Sequence, residues 1–201
     1  NKSFIIKIIV LCLVTIKVNA IEKIILFGDS LMAGYGLPNE QHLSVVLQNS
    51  LEIDGYNIKI VNGSVSGSTS AGGLNIADWT LSNSNIDLMI LCLGANDMLR
   101  GINPKETKNN LEEIIKIAKN KNIKVIIAGM IAPTSYGFSY KKSFDKIFFD
   151  LSKKYKLQLI PFLLEGVAQK PEFNLSDGMH PNDQGTIIIG NTLKKAILEN
   201  L

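Results

Sequence analysis

Five short runs dominated by Ile, Val and Leu recur along this chain, at 24–27, 58–61, 88–93, 125–129 and 157–160. A strand with one face in water carries an apolar residue at every second position. A run that is apolar nearly throughout has both faces covered, which is the condition of a parallel sheet between helix layers. The segments between the runs carry the helical period instead. Leu43, Val46, Leu47 and Leu51 make one apolar stripe, and Leu111, Ile114, Ile115 and Ala118 make a second. Phe144, Ile147, Phe148, Leu151 and Tyr155 make a third, and Ile189, Leu193, Ala196 and Ile197 the last. Asn103-Pro104-Lys105-Glu106 reads as a helix start, with an Asn cap, Pro at the first helical position and Glu at the third. This alternation predicts one doubly wound α/β sandwich of about five parallel strands, with helices on both faces. After residue 21 there is no repeat, low-complexity linker or composition break, so residues 21–201 are read as a single domain.

Residues 1–20 are set apart. Lys2 and Lys7 precede the apolar run Ile8 to Val14, and Val18-Asn19-Ala20 offers a cleavage site after Ala20. The run is shorter than the ~20 residues a bilayer span needs. It reads as a secretory signal peptide, and an exported protein, periplasmic or secreted, is expected. Without Lys2, Lys7 and Lys17 the 21 basic residues become 18, matching the 18 acids, so the domain is neutral. That balance, with no Lys/Arg stripe, gives no surface for nucleic acid. The domain keeps one cysteine, Cys92, and two histidines, His42 and His180. An intrachain disulfide is therefore excluded, and no metal site is expected.

In a doubly wound sheet, ligands bind beyond the carboxyl ends of the strands. The first run ends in Gly28-Asp29-Ser30, and the second leads into Asn62 to Ser70 with Gly67 at its centre. The third ends in Gly94-Ala95-Asn96-Asp97, and Asp177-Gly178-Met179-His180-Pro181 precedes the last helix. A serine hydroxyl is a weak nucleophile until a base takes its proton. His42 sits at the edge of an apolar stripe and is expected to be a surface or boundary side chain. His180 lies three residues after Asp177, a spacing that lets one carboxylate face one imidazole and hold its tautomer. An oxyanion needs donors, and the Gly67 N–H, the Asn96 amide and the Ser30 N–H are candidates. Each piece alone is usually a turn or a cap; the joint occurrence, each after a strand or before a helix, carries the reading. Asp29 and Asp97 are assigned to loop hydrogen bonding.

These blocks, "FGDSLMAGYGLP", "VNGSVSGSTSAGG", "LGANDMLRG" and "DGMHPNDQG", resemble those of the SGNH, or GDSL, hydrolase family over the whole of residues 21–201. The nearest branch resembles the multifunctional thioesterase I, arylesterase and lysophospholipase L1 group. The resemblance implies a flavodoxin-like strand order 2-1-3-4-5. It implies Ser30 as nucleophile, His180 as base and then acid, Asp177 as its orienter, and an oxyanion hole from Ser30, Gly67 and Asn96. No cofactor is implied.

Residues after the third and fourth runs are expected to line an apolar groove: Met98, Leu99, Ile102, Pro133 and Tyr136, with Met130, Ile131, Phe138 and Tyr140 beside them. Arg100, the sole arginine, is read first as a salt-bridge residue and alternatively as a clamp for a phosphate or carboxylate head group. The leading expectation is a monomeric serine esterase acting on aryl or acyl esters, lysophospholipids and thioesters, in transient contact with a membrane surface. A carbohydrate O-acetylesterase would call for a shallow polar site instead. A lipid- or sugar-binding module would be expected to have lost Ser30, Asn96 or His180. A nucleotide-binding protein would need a phosphate-loop or dinucleotide spacing that the Gly/Ser-rich loop lacks.

Overall fold

The computed structural model describes residues 21–82 and 85–201. The leader read at 1–20 lies outside them. Five strands form one parallel sheet: β1 (Lys23–Gly28), β2 (Lys59–Asn62), β3 (Leu88–Cys92), β4 (Lys124–Ala128) and β5 (Gln158–Ile160). Their order is β2-β1-β3-β4-β5. The fold class is the one the alternating pattern predicts, and the strand order is the one the family resemblance implies.

Burial explains why the strands are legible. Every residue of the central β3 is buried, and so are five of the six in β1. Successive side chains point to opposite faces, so continuous burial means that both faces are covered. The edge strands β2 and β5 are only partly buried, and there the apolar runs carry Lys59 and Gln158. The layers are α2 (Leu43–Ile53) packed on α7 (Asp183–Leu198), and α3 (Ser70–Ser82) packed on α5 (Pro104–Asn120), which packs on α6 (Phe138–Tyr155). Two short helices, α1 (Ser30–Ala33) and α4 (Ala95–Leu99), follow β1 and β3 directly.

The helix starts follow their caps. The Asn103 side chain accepts from the Lys105 N–H, with Pro104 opening α5. The Asn182 side chain accepts from the Gly185 N–H at the start of α7. Helix α3 has no counterpart in the apolar stripes of the sequence. It begins Ser70-Ala71-Gly72-Gly73 and buries only Ser70, Gly73, Ala77 and Leu81. It packs by close backbone approach: a Cβ on Gly73 would lie 2.3 Å from Leu93 Cδ1. Because all five strands run the same way, the loops after β1, β2 and β3 share one rim.

Candidate active site

The turn after β1 is set by Gly28, where a Cβ would sit 2.6 Å from the Cys92 carbonyl oxygen and 2.8 Å from Met32 Cγ. Only glycine lets α1 turn back this tightly over β3. Asp29 caps the helix, its Oδ1 accepting from the Leu31 N–H at 3.1 Å. Ser30 is thereby the first helical residue, with its side chain half-buried at the rim.

His180 arrives from the opposite end of the chain on a braced connection. The Leu175 N–H donates to the His180 carbonyl at 2.8 Å, and the Asn182 N–H to the Phe173 carbonyl at 3.0 Å. Buried Asn174 ties the same segment to the Val167 and Lys170 carbonyls. His180 Nε2 lies 3.0 Å from Ser30 Oγ, and His180 Nδ1 lies 2.7 Å from Asp177 Oδ2. A carboxylate can only accept, so Nδ1 carries the proton and Nε2 presents its lone pair to the serine hydroxyl. Asp177 Oδ1 accepts from the His180 and Met179 N–H groups at 3.0 and 2.9 Å. Those two backbone bonds, followed by the imidazole, hold its carboxyl down to about 2. The Asp177 side chain is therefore fixed, and it is ionised above about pH 2.

The loops after β2 and β3 meet beside this chain of bonds. Asn96, in the first turn of α4, donates from Nδ2 to the Ser68 carbonyl at 3.1 Å and to Asp29 Oδ2 at 3.3 Å. Gly67 adopts φ 78°, a left-handed conformation that favours glycine. Arg100 Nη2 donates to the Gly67 carbonyl at 3.0 Å. Among the described residues Arg100 makes no ion pair, so the salt-bridge expectation is replaced by a clamp between two loops. Buried Asp97 accepts from the Ser70 N–H and hydroxyl and from the Thr107 hydroxyl, which joins the starts of α3 and α5 under the rim. Asp29 is fully buried, and that burial pushes its carboxyl up to about 6. Burial likewise pushes the Cys92 thiol well above its ordinary range, which leaves it inert.

His42 stands apart from this cluster. It is half-buried at the cap of α2, bonded through Nε2 to the Leu37 carbonyl at 3.0 Å. The proposed groove residues divide. Leu99 and Pro133 are exposed, Ile102 and Tyr136 are half-buried, and Met98 and Met130 belong to the core. The Tyr140 hydroxyl donates to the Ile102 carbonyl at 2.9 Å, and its ring lies 5.5 Å from that of Tyr136. Tyr35 escaped the sequence reading. Its ring centroid lies 4.4 Å from the His180 ring, with about half of the residue exposed. It sits five residues after Ser30 between two glycines, and nothing in that spacing announces a contact with a residue 145 positions away.

Residues 26–186 match the GDSL-like Lipase/Acylhydrolase family. The chain belongs to that family. An arylesterase of Vibrio mimicus is 35% identical over 182 residues, covering 90% of this chain and 91% of the relative. The thioesterase 1/protease 1/lysophospholipase L1 of Escherichia coli K12 is 30% identical over 187 residues, covering 93% and 88%. The crystal structure of TesA superposes with a TM-score of 0.85 at 32% identity, covering 90% of this chain and all of that one. As a GDSL-like acylhydrolase the protein is an ester-hydrolysing enzyme.

Proposed function

We propose that the protein cleaves aryl and acyl carboxylic esters, lysophospholipids and thioesters among them, through an acyl-enzyme on Ser30. The observation that carries this reading is the continuous chain Ser30 Oγ, His180 Nε2, His180 Nδ1 and Asp177 Oδ2 at 3.0 and 2.7 Å. In the acylation step Nε2 takes the serine proton as Oγ attacks the ester carbonyl, and Asp177 stabilises the imidazolium. The imidazolium then protonates the leaving alcohol or thiol. Water repeats the sequence on the acyl-enzyme, with His180 again the base.

The developing oxyanion is assigned to the Ser30 and Gly67 N–H groups and the Asn96 amide. Asn96 already uses both Nδ2 hydrogens, and an incoming oxyanion shares the one directed at Asp29, the longer of the two bonds. Arg100 and Asp29 are positioning residues on this reading, one holding the Gly67 turn and the other the Asn96 amide.

The substrate reading rests on the rim. Each of the four converging loops exposes a large apolar side chain within a few residues of its polar one: Tyr35, Val65, Leu99 and Met179, all about half exposed. Such a border suits an acyl chain or an aryl ring and argues against the acetyl-sugar alternative. The relatives named arylesterase and thioesterase 1/lysophospholipase L1 support the same substrate range. If residues 1–20 act as an export leader, acyl-CoA is out of reach, which favours lysophospholipids and environmental esters.

A chain-length series of p-nitrophenyl esters and lysophospholipids, run on wild type, Ser30→Ala and His180→Ala, tests the reading. Both variants should stay folded and lose nearly all turnover, with medium acyl chains preferred over acetyl in the wild type. Retained turnover in either variant would overturn the assignment of the triad; a strict acetyl preference would overturn the substrate range alone.

A further inference from the structure

Helix α6 carries aromatic residues on two opposite sides. Phe144, Ile147, Phe148 and Leu151 are buried against the sheet and α5, as a core-facing stripe requires. Phe138 and Phe149 are not in that stripe: they are 81% and 59% exposed. Eleven residues separate them, which on a helix brings them within about 20° of one line and about 16 Å apart along it. Lys142 and Lys146 lie between the two rings along the helix, turned about 40° and 80° round it from Phe138, and line the same groove. Lys142 Nζ lies 5.9 Å from the Phe138 ring centroid. Together with Lys141 and Asp145 these residues border an open groove of about 660 Å³.

The charges of this face do not cancel. Three lysines meet one aspartate, a balance of +2 on a domain that is neutral over residues 21–201. Lys141 is neutralised by Asp145 at 2.7 Å. Lys146 has only Asp150 at 3.9 Å, and that carboxylate is already held by Lys108 at 2.7 Å. Lys142 makes no ion pair among the described residues, and Lys146 shares one carboxylate with Lys108, so this face keeps an excess of positive charge beside two exposed rings.

We propose that this face of α6 docks on an anionic phospholipid bilayer. Aromatic rings settle at the boundary between head groups and acyl chains, and flanking lysines pair with lipid phosphates. The face supplies both requirements, and it supplies no buried, directional hydrogen-bonding group of the kind a specific protein partner would read. Its orientation suits delivery of substrate. α6 begins beyond the carboxyl end of β4, on the rim that carries Ser30, and Tyr140 in its first turn is bonded to Ile102 in the loop after β3. The inference does not depend on the triad, since binding is read without turnover.

The test is co-sedimentation of the Ser30→Ala protein, which leaves the lipid intact, with phosphatidylcholine vesicles lacking or containing phosphatidylglycerol. Binding is expected only to the phosphatidylglycerol vesicles and should fall as salt is raised. Each lysine near an anionic leaflet strengthens partition about fivefold, so Lys142→Ala with Lys146→Ala should weaken it roughly 30-fold. Phe149→Ala should weaken it further. With Ser30 intact, these same substitutions should leave turnover of a water-soluble p-nitrophenyl ester unchanged. Equal partition into neutral vesicles, no partition into anionic ones, or partition indifferent to the substitutions would overturn the proposal. So would capture of acidic polypeptide, lost in the same variants, without vesicle binding; that result would assign the face to a protein.

Discussion

Replacing Asp29 by Asn removes a titration from the centre of the fold. The carboxyl is fully buried, and burial raises it from 3.8 to about 6. At about 1.4 kcal/mol per tenfold change in proton affinity, this corresponds to about 3 kcal/mol between the two protonation states. The folded chain binds this proton more tightly than the unfolded chain does. Protonation therefore stabilises the fold; the benefit is complete below about pH 3.8 and is lost as the pH rises through about 6. Above that pH the wild type carries a buried carboxylate whose remaining bonds, from Leu31 and Asn96, offset only part of its lost hydration. The side chain of the Asp29→Asn variant would be neutral throughout. It can still cap α1 through its oxygen, and its amide group faces the Asn96 amide, a mismatch that does not vary with pH. Urea unfolding of both proteins from pH 3.5 to 7.5 should show the wild type losing about 3 kcal/mol relative to the variant across that interval. Asp177, held down from 3.8 to about 2, loses its contribution only as the pH falls through the acid end of the interval and below, and it does so equally in both proteins. Parallel stability curves would refute the claim that the carboxyl beside Ser30 titrates near pH 6.

Three further substitutions probe the rim. Asn96→Ala should lower kcat by roughly 10²–10³ with little change in KM, because an oxyanion donor acts mainly in the transition state; a KM effect of that size with kcat unchanged would place Asn96 in ground-state binding. Arg100→Ala should lower kcat/KM several-fold and equally for p-nitrophenyl esters and lysophospholipids, since the guanidinium holds the Gly67 carbonyl rather than a substrate; a loss confined to lysophospholipids would instead return the head-group role to it. Gly28→Ala drives a methyl to 2.6 Å from the Cys92 carbonyl oxygen, so the fold should lose about 1–3 kcal/mol by denaturant titration, and activity should fall with the displaced Ser30; wild-type stability would contradict the close approach of α1 to β3.

The sheet was legible because burial on both faces leaves little room for polar residues, and β1, β3 and β4 show that directly. Helix α5 was legible because Asn103 and Pro104 mark its start chemically and its apolar stripe is regular. Helix α3 was not, because it packs through Gly73 and Ala77, and small residues in close contact leave no periodic signature. The same distinction runs through the site. The Asp177–His180 pair is local, three residues apart, and its spacing could be read from the chain alone. The bonds of Asn96 to Asp29 and of Arg100 to Gly67 span 67 and 33 residues. They depend on how closely two loops approach, which no local pattern encodes. The Tyr35 contact with His180 belongs with them.

Covalent labelling tests the role of Ser30 most directly. An organophosphonate p-nitrophenyl ester should be attacked at phosphorus by Ser30 Oγ, releasing p-nitrophenolate and leaving a stable phosphonyl-serine. Mass spectrometry of the labelled protein should find one adduct per chain, on the peptide holding Ser30, with labelling nearly abolished in His180→Ala. An adduct on any other residue, or undiminished labelling without the imidazole, would contradict a nucleophile activated by His180.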